Sequence, residues 1–128
     1  MIEHVADTLA FLAECHRVLK PGGILRIHTC HYSSSNTWVP CHRWSYSVKA
    51  FNFYASNTYE GRENPQYSDF KFSRVVSRRI IFPTRGFFAF NRPVQWLVNS
   101  SYKMQCVYEA TGFHALFPAQ DLEVVLAK

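Results

Sequence analysis

Apolar residues recur at helical spacing through the first part of the chain: Val5, Leu9, Leu12, Cys15 or His16, and Leu19, with Phe11 and Val18 widening the stripe. Asp7 or Thr8 is placed to cap this helix. Pro21 disfavours helical geometry at Lys20, so the helix ends there or earlier. Arg17 and Lys20 sit in its last turn, where cations suit the helix dipole. Gly22 and Gly23 then turn the chain sharply. The run Ile24, Leu25 and Ile27 predicts a strand over 23–29, buried on both faces. The helix is expected to pack on one face of the sheet, with Cys15 a buried thiol and Glu14 and His16 solvated. Residues 1–5 read as the tail of a preceding strand and its loop.

Beyond Tyr32 the pattern is less regular. Residues 33–37 form a polar loop, and 38–44 mix aromatic and polar side chains densely. Ser47 is placed to cap a helix to about residue 55, with Val48, Phe51 and Tyr54 on one side. Residues 57–69 read as a surface connection with turns. The stretch 70–82 is a strand candidate rich in aromatic and β-branched residues. Its imperfect alternation and many charges suit a position near a sheet edge. A turn at 83–86 leads to the cluster Phe87, Phe88 and Phe90. Asn91 or Arg92 before Pro93 opens a helix carrying Val94, Leu97, Val98 and Tyr102. A loop at 116–119 precedes a last strand over 122–126. No internal repeat is present.

Composition bounds the function classes. A chain of 128 residues is one domain or part of one. Its 48% hydrophobic content excludes a disordered chain, and the 16% aromatic share suits a dense core or an aromatic-lined pocket. The net charge of +5 permits contact with phosphate without demanding it. No apolar run is long enough for a bilayer, and no signal-peptide pattern opens the chain. The expectation is a soluble cytoplasmic protein without membrane contact. Four cysteines among ample apolar residues do not make a disulfide scaffold.

In open α/β sheets ligands bind at the carboxyl ends of strands. Glu3 and His4, and the run His28 to Tyr32, are therefore expected to face a ligand crevice. A carboxylate beside an imidazole can serve as a general base, with His4 the first candidate and His31 the second. The alternative is that Glu3 and His4 merely close the loop before the helix. Cys30-His31 and Cys41-His42 offer four zinc-type donors, but adjacent ligands chelate poorly, and no metal site is expected. The alternative has Cys30 and Cys41 buried, with His31 and His42 lining the pocket. Lys71, Arg74, Arg78 and Arg79 interleave with aromatics, which opens a second function class: a non-catalytic basic α/β module binding nucleic acid or another anionic polymer. A solvated edge face explains the same residues better.

Glu3-His4-Val5, followed by Arg17-Val18-Leu19-Lys20-Pro21-Gly22-Gly23, resembles the late part of a class I S-adenosylmethionine-dependent methyltransferase. In that family the pattern runs from the end of the fourth strand, through a helix, into the fifth. The segment 31–44 is similar to the lid of a subgroup whose loop begins with His, an aromatic residue and Ser and continues to Pro and a His-basic pair. Here those are His31, Tyr32, Ser33, Pro40, His42 and Arg43, with Cys41 intervening. The tail from Pro118 to Leu122 is similar to the segment before the subgroup's last strand.

The resemblance implies an α/β fold: the carboxyl-terminal half of a Rossmann-like sheet, strands five to seven, the last two adjacent and antiparallel. Flanking helices and a lid insertion at 30–69 complete one partial domain over 1–128. It implies methyl transfer from S-adenosylmethionine to a small-molecule acceptor. Glu3 and His4 would lie near the cofactor, and Tyr32, Trp38, His42, Arg43 and Trp44 would shape the acceptor pocket. In some relatives that methylate phenolic rings, the matching Glu-His pair is implicated in binding a divalent metal. The family's Gly-rich cofactor turn has no counterpart here, since no G-x-G occurs among the five glycines. The chain alone is therefore expected to be inactive, needing an amino-terminal half or self-associating through an exposed strand edge.

Overall fold

The computed structural model describes residues 1–128 as an α/β unit. Three strands form one sheet: β1 (Ile24–Cys30), β2 (Arg74–Ile81) and β3 (Asp121–Ala127), in the order β1-β3-β2. The last strand lies between the other two and is antiparallel to both. Adjacency of the last two strands agrees with expectation.

The segment from residue 7 to β1 follows the sequence signals closely. Helix α1 (Thr8–Val18) is capped by Asp7, whose carboxylate accepts from the Ala10 amide at 3.0 Å. Gly22 turns the chain with φ +75°. Leu12 is the fully buried residue of the helix; Leu9 and Val18 are exposed. His16 is not simply solvated: its ring packs against Phe70 and Phe72, and burial lowers its pKa. Cys15 is only half-buried.

Strand β1 is buried on one face, not two. Ile24, Arg26 and His28 are exposed while Ile27 and Thr29 point inward. Its outer face has no covering layer and carries cross-strand pairs instead, Arg26 with Glu123 and His28 with Asp121. The inner face meets Leu122, Val124 and Leu126 of β3, all fully buried.

The irregular alternation of β2 has a structural cause. Val75 and Ile80 are five apart and would face opposite sides of a regular strand. A register shift between Val75 and Ser77 resets the phase, so both reach the core. The same shift puts Arg78 opposite Val124 on the core face. Its guanidinium donates twice to Asn52 Oδ1 (3.1 and 2.6 Å) and lies 4.4 Å over the Tyr102 ring.

Several expectations are corrected. Residues 1–5 hold a 3₁₀ turn at Ile2–His4 rather than a strand tail. The helix expected from Ser47 is a series of turns ending in the 3₁₀ turn Asn52–Tyr54. Val48, Phe51, Asn52 and Ala55 are all fully buried there, at the spacing that one helix face would show, and Lys49 is exposed. Tyr46, Val48, Phe51 and Ala55 of the 30–69 stretch join the core. Residues 57–69 contain helix α2 (Tyr59–Glu63), capped by Thr58.

The helix after Pro93 stops early. Helix α3 (Asn91–Val98) ends where Asn99 turns its side chain onto both backbone groups of Ile80. Ser101 then caps a separate helix α4 (Tyr102–Ala110), and a short helix α5 (Phe113–Leu116) occupies part of the expected loop. No helix is long and apolar enough to cross a membrane.

Candidate functional site

Glu3 is buried at the carboxyl end of β1. Its carboxylate accepts from the Thr29 hydroxyl at 3.1 Å and pairs with the Met1 ammonium at 2.8 Å. Burial works to raise its pKa, but hydrogen bonds from the ammonium, its own backbone and Thr29 outweigh that and hold it at about 2. Glu3 is therefore a carboxylate at neutral pH. Its carbonyl accepts from the amides of Arg43 (2.8 Å) and Trp44 (3.3 Å), which ties the 38–44 loop to the turn. The Trp44 indole donates to the Val5 carbonyl at 2.8 Å, and the Tyr46 hydroxyl donates to Ile2.

His4 is exposed, and its Nδ1 lies 3.1 Å from the Cys41 carbonyl. A carbonyl only accepts, so the Nδ1 proton points there and Nε2 of the neutral ring is left free. Glu3 Oε1 lies 3.7 Å from that Nε2. His42 is half-buried, its Nδ1 is 3.8 Å from Cys30 Sγ, and its ring meets that of His4 edge-on at 4.6 Å. Glu3, His4, Cys30, Cys41 and His42 thus converge from three separate segments. Of Cys30 and Cys41, both read as buried in the alternative to a zinc site, only Cys30 is.

His31 sits elsewhere. It is fully buried, its Nδ1 accepts from the Ser33 amide at 3.2 Å, and its Nε2 donates to Glu109 Oε1 at 3.0 Å. Both nitrogens are engaged, which leaves none to meet a substrate. The Tyr32 hydroxyl donates to the Glu109 carbonyl, and burial beside that carboxylate pushes its pKa to about 12. His31 and Tyr32 lock the strand end to α4 rather than line a crevice. Trp38 is 86% exposed and belongs to a different depression, with Phe88 and Pro118. Arg43 is exposed beside Trp44.

A groove of about 480 Å³ is lined by residues 6–9, Trp44, Tyr46, Ala50, Phe51 and Tyr54, and none of the five converging side chains lines it. Sequence patterning missed it because its far wall comes from the 46–54 turns. Of the basic residues on and before β2, Lys71 donates to the Phe53 carbonyl and Arg78 is held by Asn52, so only Arg74 and Arg79 remain exposed.

No curated protein and no solved structure matches this chain. Residues 1–27, which hold the Glu3-His4 turn, α1 and the first half of β1, match the family model described as a methyltransferase domain.

Proposed function

We propose that this chain forms the acceptor side of an S-adenosylmethionine-dependent methyltransferase acting on a small molecule, with the cofactor held by a partner half. The observation that carries the reading is a coincidence of position. The family-matched segment contains Glu3 and His4, and their side chains meet at the carboxyl end of β1, where open α/β sheets keep ligands. An antiparallel last strand beside β2 supports reading the sheet as strands five to seven of the family.

The chain's own residues do not fit the cofactor. Gly22 serves a turn, and Gly61 packs without room for a Cβ against the Ala55 carbonyl. No glycine lines the groove or joins the His4 cluster. The Glu3 carboxylate, expected near the cofactor, already accepts from the Thr29 hydroxyl.

What the chain offers is proton handling and shape. His4 Nε2 accepts a proton from an acceptor hydroxyl, and the nearby Glu3 carboxylate offsets the charge the ring then carries. Trp44 and the apolar groove beside it hold a flat acceptor and exclude water. The test is transfer of labelled methyl from S-adenosylmethionine to small molecules of a cell extract, using the protein as its cells make it. Label in a hydroxyl-bearing compound is expected; label confined to protein or nucleic acid contradicts the reading. Calorimetry on the 128-residue chain should show no micromolar binding of S-adenosylmethionine. Micromolar binding would overturn the division into two halves.

A further inference from the structure

We infer that His4, Cys41 and His42 form a site for one zinc-type divalent transition ion, with one coordination position left open. The donor atoms of these three residues lie within 4.8 Å of one another. Two imidazoles and a thiolate are the donors that zinc prefers over oxygen-seeking cations. Three protein ligands leave a fourth tetrahedral position for water or a small molecule.

The surroundings already orient the ligands. A metal-bound histidine ordinarily directs its other ring nitrogen to a carbonyl, carboxylate or water. His4 does so through Nδ1 to the Cys41 carbonyl, and His42 Nδ1 lies 3.8 Å from Cys30 Sγ. Adjacent ligands diverge on an extended chain, but here the chain turns: the His42 amide donates to the Val39 carbonyl at 2.9 Å. The third ligand comes from the far side, on the Ile2–His4 turn.

The pairing read from sequence, Cys30-His31 with Cys41-His42, does not form, because His31 is consumed by Ser33 and Glu109. A second triad of Glu3, Cys30 and His42 is also within reach. It is the poorer site. Glu3 already serves two donors, and Cys30 is buried beneath the loop. An ion on the exposed triad would staple the 38–44 loop to the amino-terminal turn. It would also take the Nε2 lone pair that the base role of His4 requires, so methyl-transfer assays are run with chelator present.

The inference does not rest on methyl transfer, and its test uses neither cofactor nor acceptor. The 128-residue chain is stripped with chelator and titrated with Co²⁺, followed by displacement with Zn²⁺. One equivalent is expected, with tetrahedral d–d absorption and a thiolate-to-cobalt charge-transfer band. Cys41→Ser should abolish that band, and Cys41→Ser and His42→Ala should each weaken binding by at least about tenfold. Cys15→Ser and Cys106→Ser should leave both readouts unchanged. Circular dichroism of Cys41→Ser, an exposed position, should match the parent and so separate ligand loss from unfolding. Binding below one equivalent, binding undiminished in Cys41→Ser, or a band lost in Cys106→Ser would overturn the site.

Discussion

At the scale of single residues, Glu3 joins the amino-terminal turn to β1 and to the 38–44 loop. Its pKa of about 2 in the folded chain lies below the ordinary value for a glutamate, about 4.3 in a free peptide. The folded state therefore binds fewer protons than the unfolded one across that window. The stabilisation is full above about pH 5 and disappears as pH falls toward the folded value. Glu3→Gln should flatten the acid side of a urea-stability profile and lower neutral stability by about 1–3 kcal/mol. An unchanged profile between those limits would show that the Met1 and Thr29 contacts contribute nothing. The place of Glu3 and His4 just before a capped helix was legible because the cap signal at Asp7 is local. The pairing of His31 with Glu109 was not legible, because Glu109 lies 78 residues away on a helix that local pattern did not reveal.

At the scale of elements, α1, the Pro21-Gly22-Gly23 turn and β1 were legible because cap, breaker and periodicity are local signals that agree. The 46–58 segment was not, because its order comes from distant partners. Glu109 Oε1 accepts from the Val48 amide at 2.6 Å as well as from His31, so one carboxylate fixes two buried segments. Glu109→Ala should destabilise the fold by about 3–5 kcal/mol, since it strands a buried imidazole and a buried amide together. Chemical unfolding measures this directly; a loss under about 1 kcal/mol would mean that the segment is held by packing alone. The break between α3 and α4 follows the same logic. Apolar spacing carries Val94, Leu97, Val98 and Tyr102 onto one helix, yet Asn99 is drawn off to pair with the Ile80 backbone, and Ser101 starts a new cap.

At the scale of the whole molecule, three strands leave two open edges. β1 and β2 each pair only with β3 inside the sheet, and β1 has an uncovered outer face with Ile24 59% exposed. Phe87, Trp96 and Leu116 add exposed apolar area on the helical side. Such edges and patches favour pairing with another chain. Sedimentation of the purified chain should show species larger than a monomer, and a monodisperse monomer at all concentrations would contradict this. The topology also fits a molecule whose chemistry gathers at one strand end, and that claim is tested most directly by replacing His4. In chelator-treated protein as its cells make it, His4→Ala should lower methyl-transfer turnover by about 10²–10⁴-fold while cofactor affinity stays nearly unchanged, because a general base acts on the transition state. Turnover within a few-fold of the parent would contradict the assignment of this strand end as the site of the reaction.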